Sequence, residues 1–209
     1  MGKCFFGKNA FSTLLSHVAA KVCVTTSGVA FFGAQLRLRT FFVGVSFMDI
    51  ISCGVIASRP LPFPWGYDEH SWECVALKLK LLNRITQLIS DGVTDFFVAI
   101  DAGFGLYAAE MLGGLRTIVT DLDLTCVVPW EGQATQWTPE LRERYFTQLG
   151  NATDVVQLHT TKTAACELDA LLKVVESSDA VIAICSQDDP LLHVIIQNAE
   201  KQNKLLIKL

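Results

Sequence analysis

From about residue 50 onward the chain alternates short, continuous apolar runs with longer stretches of helical periodicity, and this alternation constrains the fold more than any other feature. The runs are 51–57, 96–100, 124–128, 155–158, 180–185 and 205–208, rich in Val, Ile, Leu and Phe. Runs of that length with no polar alternation suit strands covered on both faces, as in a parallel sheet with helices on either side. Helix starts stand between them. Asp68 and Glu69 precede a predicted helix to about Ser90, with Trp72, Val75, Leu79, Leu82 and Ile85 as its inward face. Thr138-Pro139-Glu140 reads as an N-cap, a proline at the first helical position and an acid in the first turn, and Asp189-Pro190 repeats the device before 191–201. Asp91-Gly92 and Gly113-Gly114 read as helix ends or breaks. The fold class is therefore α/β: a doubly wound, mostly parallel, Rossmann-like sheet over residues 49–209, with helices on both faces.

Residues 1–48 do not share this pattern and are read as an N-terminal appendage. Phe11, Leu14, Leu15, Val18 and Val22 mark one face of a short amphipathic helix, and 22–47 reads as strand-rich, with glycines at 28, 33 and 44. Extra layers on a sheet edge or a self-association surface both fit, so a homo-oligomer stays open. A signal peptide is not expected, because Ser12, Thr13, Ser16 and His17 interrupt its apolar core. The stretch from Phe41 to Ile56, the nearest to a membrane span, carries Asp49 and two glycines, and no membrane partner is expected.

Composition narrows the function classes. Apolar residues make up 51% and charged ones 18%, which predicts a well-buried core. A net charge of −4 without clustered Lys and Arg argues against a nucleic-acid partner. Seven cysteines without C-x-x-C spacing read as reduced thiols of a cytoplasmic protein, and the four histidines offer no metal-ligand spacing.

The stretch VAIDAGFGLYAAE, residues 98–110, raises the sharpest question. Gly103, Gly105 and Ala108 fit G-x-G-x-x-A, a turn that can present backbone N–H groups and a helix N-terminus to a phosphate. A dinucleotide site also needs an acid at the end of the next strand. Asp121 and Asp123 stand at that distance, but both precede the run 124–128 and so fall at the wrong edge unless 118–120 is itself a strand. Asp101, just before the turn, would repel a phosphate. Two glycines at a tight turn also need no ligand to justify them.

Several motifs in order carry a resemblance. Ser58-Arg59-Pro60, Pro64-Trp65-Gly66-Tyr67-Asp68-Glu69, Gly103 with Ala108-Ala109-Glu110, Pro129-Trp130-Glu131, Gln133, Trp137, Arg142, Tyr145 and Ser178-Asp179 together resemble a small bacterial branch of the DprA/LOG (SLOG) superfamily, which reads G-H-R-P and then L-P-W-G-Y-D-E. The resemblance covers residues 50–209. It implies a pocket for a nucleotide or nucleotide-derived ligand at the C-terminal edge of the strands, with relatives that include phosphoribohydrolases and single-strand DNA-binding proteins. The expected S-G-x-A-x-G-x-D turn is altered, with Val98, Ala99, Asp101, Gly103 and Gly105 in its place. An expected Arg-Asn pair falls at Ala170-Leu171, and an expected Gly-Gly-Thr loop at Pro190-Leu191-Leu192. The phosphoribohydrolase signature P-G-G-x-G-T-x-x-E is absent.

The candidate ligand-binding residues are Ser58, Arg59, Asp101, Gly103, Gly105 and Glu131, with Arg59 as an anion clamp or else a structural ion pair with Glu110 or Glu131. Glu131 and Glu110 are the candidate acid–base groups. Trp65, Tyr67, Trp130 and Trp137 are either base-stacking platforms or core packing. Cys185 ends a strand with no histidine placed beside it by sequence reasoning. Three classes stay open: a nucleotide-ligand binding or sensing protein with depleted catalysis and no required cofactor; a nucleoside-phosphate hydrolase or transferase; and a scaffold or oligomer subunit without a ligand.

Overall fold

In a computed structural model of the chain the described residues are 50–58, 63–186 and 189–209. The appendage read over 1–48, together with Arg59, lies outside them. Six strands, β1 (Ser52–Ala57), β2 (Asp95–Ala99), β3 (Asp123–Trp130), β4 (Asp154–His159), β5 (Ala180–Ile184) and β6 (Leu205–Lys208), alternate with five helices, α1 (Trp72–Ser90), α2 (Phe104–Arg116), α3 (Pro139–Asn151), α4 (Cys166–Glu176) and α5 (Pro190–Lys201). All strands are parallel, in the order β4-β3-β2-β1-β5-β6. Each expected apolar run is a strand. Burial follows position: β5 is buried throughout and β1 from Cys53 to Ile56, whereas Asp154 and Val155 of edge strand β4 are exposed.

The chain winds outward from β1 to β4 and then returns to place β5 against the other side of β1. Helix α2 packs on β1, β2 and β3 between α1 and α3, while α4 packs with α5 and against β1–β4. The α4–α5 side closes over Ile56, Val127, Val174, Val181, Leu192 and Ile195, all at most 1% exposed. Gly54 is the strand glycine that permits this approach, because a Cβ there would stand 2.7 Å from Val174 Cγ1 and 2.6 Å from Ser178 Oγ.

The helix signals hold at three ends and shift at two. Thr138 Oγ accepts from the Leu141 N–H at 3.4 Å with Pro139 next in line, and Asp189 Oδ1 accepts from the Leu192 N–H at 3.1 Å ahead of Pro190. Gly92, at φ +106°, takes the left-handed turn that ends α1. The start of α1, however, is Ser71, whose Oγ accepts from the Cys74 N–H at 3.2 Å; Asp68 instead accepts from His70 N in the preceding turn. The expected inward face of α1 is also corrected. Leu82 and Ile85 are buried, but Trp72, Val75 and Leu79 are 76%, 43% and 38% exposed, and Cys74 is the residue buried in the first turn, followed by Leu81 and Leu88 further along. Gly113-Gly114 is not a break, since α2 runs on to Arg116. A Cβ at Gly113 would stand 2.9 Å from Gln148 Oε1 of α3, the far end of a flexible side chain.

Candidate functional site

At the C-terminal edge of the sheet a cleft of about 820 Å³ opens among the ends of β1, β2 and β3 and the first turns of α4 and α5. Its size and its place beside the reversal of winding are those of ligand sites in open α/β sheets. Ala57 ends β1, Ala99 to Ala102 carry β2 into α2, and Pro129 and Trp130 end β3. The run 124–128 is longer in the structure than the sequence indicates, and that extension to Trp130 brings an indole to the cleft.

The glycine turn does not offer a vacant phosphate cradle. Asp101 Oδ1 accepts from the N–H groups of Gly103 at 2.8 Å and Gly105 at 2.9 Å, so the chain's own carboxylate occupies the N-terminus of α2. Gly103 is the N-cap of that helix and Gly105 sits in its first turn. Gly105 is required by packing, since a Cβ would stand 2.2 Å from the Ala99 carbonyl oxygen. Residues 118–120 form no strand, and Asp123 begins β3 at the edge opposite the cleft, which removes the ribose-binding acid of a dinucleotide site.

Of the other candidates, Ser58 is 1% exposed and ties two strand ends together: its N–H donates to the Ile184 carbonyl at 2.8 Å and its Oγ accepts from Ser186 N at 2.9 Å. Glu131 is exposed on the turn after β3 and is not among the lining residues; its N–H donates to the His159 carbonyl at 3.1 Å. Glu110 lies away from the cleft. Its Oε1 and Oε2 accept from Arg144 Nε at 2.7 Å and Nη2 at 2.9 Å, so its cation is a residue of α3 that the sequence reading did not single out. Arg144 also reaches Glu69 at 2.6 Å, and Lys78 holds the same Glu69 at 2.7 Å. Burial pushes the Glu69 carboxyl up, but the hydrogen bonds and charges of Arg144 and Lys78 outweigh it and hold the group below its ordinary value.

Three of the four expected aromatic platforms line the cleft: Tyr67, Trp130 and Trp137. The ammonium of Lys162 stands 5.0 Å from the Trp130 ring centroid. Trp137 meets Tyr145 edge-on at 5.2 Å, and Trp65 instead stacks on Phe63 at 4.9 Å. Gln133, 8% exposed, donates from Nε2 to the Ile100 carbonyl at 2.7 Å and leaves Oε1 buried without a partner. Sequence reasoning also missed the histidine beside Cys185. His193 comes one turn into α5, and its Nε2 stands 4.0 Å from Cys185 Sγ. Burial pushes that thiol up; a hydrogen bond with Ser58 pulls the other way, and the nearby Asp189 carboxylate adds to the rise.

Comparison with known proteins settles the family. The model of the YspA SLOG family matches residues 65–205. The chain belongs to that family. UPF0398 proteins of Bacillus thuringiensis (strain Al Hakam) and Bacillus cereus (strain AH187) are each 27% identical over 150 residues, covering 69% of this chain and 80% of the relative. The UPF0398 protein of Bacillus cereus (strain G9842) is 26% identical over 148 residues, with the same coverage. Within the SLOG frame the departures noted in the sequence fall on the cleft itself: Ala170 and Leu171 of α4 and Pro190 and Leu191 of α5 all line it. Apolar side chains and a proline without an N–H occupy positions where the resemblance implies polar groups.

Proposed function

We propose that this SLOG domain binds a nucleotide-derived small molecule in the cleft at the ends of β1–β3 and acts as a binding or sensing module, not as a LOG-type phosphoribohydrolase. The observation that carries the reading is the cleft itself, about 820 Å³ at the C-terminal strand edge and flanked by the rings of Trp130, Trp137 and Tyr67. Flat apolar rings beside a few fixed polar groups favour a planar heteroaromatic ligand. The two glutamates expected to act as acid and base do not stand at the cleft. Glu110 is engaged by Arg144 away from the cleft, and Glu131 is not among the lining residues, which leaves neither in reach of a ligand held there.

Isothermal titration with adenosine, AMP, ADP-ribose and NAD tests this. The expected result is saturable binding of at least one of them, weakened about tenfold or more in Trp130→Ala, the range of one lost base–aromatic stack. Failure of all four to bind the folded protein, or unchanged affinity in Trp130→Ala, would contradict the reading.

A further inference from the structure

Exposed large apolar side chains are mostly solitary among the described residues. Phe146 on α3, Val194 on α5, Val155 on β4 and Leu205 on β6 each stand alone on their element. Single residues of that kind need no partner to justify them. Helix α1 is different. Trp72, Val75 and Leu79 recur at i, i+3 and i+7, the spacing of one helical face, and all three are exposed. The core-facing stripe of the same helix, Cys74, Leu81, Ile85 and Leu88, is centred about 140° away round the axis, at 3.6 residues per turn. A surface helix needs one apolar stripe to join its own core. The first turns of α1 carry a second one, with an indole at its head.

The charges beside that second stripe decide what fits it. Glu73 and Lys80 stand seven residues apart and so share one flank, on the side away from the core. Lys78, on the other flank, is already held by Glu69 at 2.7 Å. Among the described residues neither Glu73 nor Lys80 has a side-chain ion pair or hydrogen bond. When two copies of one helix pack antiparallel about a two-fold axis normal to the pair, each flank meets the same flank of the other copy. Laid that way along this stripe, Trp72 of one copy covers Leu79 of the other, and the two Val75 side chains meet near the axis. Glu73 then falls beside Lys80 of the second copy, and the symmetry makes that pair twice. The face is thus complementary to itself in both its apolar spacing and its charge.

We infer that α1 is the contact of a symmetric dimer of this chain, with the Trp72–Val75–Leu79 stripes packed antiparallel and two Glu73–Lys80 pairs at the rim. Trp72 is the anchor, because a large exposed aromatic at the centre of a small contact carries most of its binding. One pair of short helix faces buries less than the roughly 1,200 Å² of a standard interface, so the dimer is a weak one that forms and parts with concentration.

Sedimentation velocity of the full chain over about 1–500 μM, the range where a weak interface shows, tests the inference. The expected result is a rise from monomer to dimer with concentration, weakened about tenfold or more in Trp72→Ala. That side chain is 76% exposed, so a thermal melt of the dilute variant should match the native chain. Charge reversal reads the geometry. Glu73→Lys alone and Lys80→Glu alone should each weaken self-association about threefold, and the double variant, or an equimolar mixture of the two single variants, should recover it. Monomer at every concentration, a dimer indifferent to Trp72→Ala, or a double variant that recovers nothing would overturn the inference.

Discussion

Asp101 stands at the point where the turn, the helix and the cleft meet. One carboxylate oxygen satisfies two N–H groups that would otherwise point outward from α2, a cap whose strength comes from charge assistance and the helix dipole together. Gly105 makes that geometry reachable, because the backbone of α2 passes the Ala99 carbonyl too closely for any side chain. Gly105→Ala should therefore destabilise the fold by about 3 kcal/mol, the upper range for overpacking. In a urea melt it should appear as a lower midpoint at unchanged slope. An unchanged midpoint would mean that the turn can relax without loss. The glycine pair is legible in the sequence as a strand-to-helix corner, since both residues sit between an apolar run and good helix formers. What spacing alone cannot reveal is that Asp101 folds back into the corner: a carboxylate two residues ahead of Gly103 reads as an obstacle to phosphate, and its role as the replacement for phosphate depends on a side-chain direction.

Among elements, α1, α2 and α3 are bound together by a network that no single motif announces. Arg144 on α3 bridges Glu110 on α2 and Glu69 ahead of α1, and Lys78 of α1 holds Glu69 while standing 3.7 Å from the Tyr107 ring centroid. Because the four charges come from three separate stretches of chain, around 69–78, at 110 and at 144, sequence spacing gives no hint of their meeting. Arg144→Ala leaves two half-buried carboxylates without their shared cation and should cost about 2 kcal/mol, the range for hydrogen bonds to charged groups. The pH dependence has a definite sign. Glu69 titrates below its ordinary value of 4.5 in the folded state, so its contribution is present above that value and is lost as pH falls through the lower folded one. The stability gap between the native chain and Arg144→Ala should stay level around neutrality and narrow below about pH 4.5 in chemical melts; a gap that widens on acidification would contradict the account. The misplaced half of the α1 stripe has a similar origin. Helical periodicity marks Trp72, Val75 and Leu79 as one face with Leu82 and Ile85, but the buried positions of α1 are Cys74, Leu81, Leu82, Ile85 and Leu88, so the early part of the expected face stays exposed.

For the molecule as a whole, winding direction decides where function can reside. An all-parallel sheet whose chain moves outward to β4 and returns at β5 sends every strand end and three helix starts to one edge. Much of this was legible from residue 50 onward because β-branched runs such as 180–184 are short, uninterrupted and buried on both faces, and because Thr138-Pro139 and Asp189-Pro190 are local devices that depend on nothing distant. The cleft's chemistry was less legible, since it arises from groups as far apart as Asp101, Gln133, Glu167 and Asp189, which only the completed sheet brings to one edge. Hydrogen exchange read by mass spectrometry, with and without saturating adenosine, decides whether the cleft holds the ligand. Slowed exchange is expected in the segments 99–105, 129–137, 162–171 and 189–193, with the opposite strand edge around 94–95 and 121–123 unchanged. Protection confined to that opposite edge, or none in the cleft segments, would contradict the claim that the cleft is the ligand's seat.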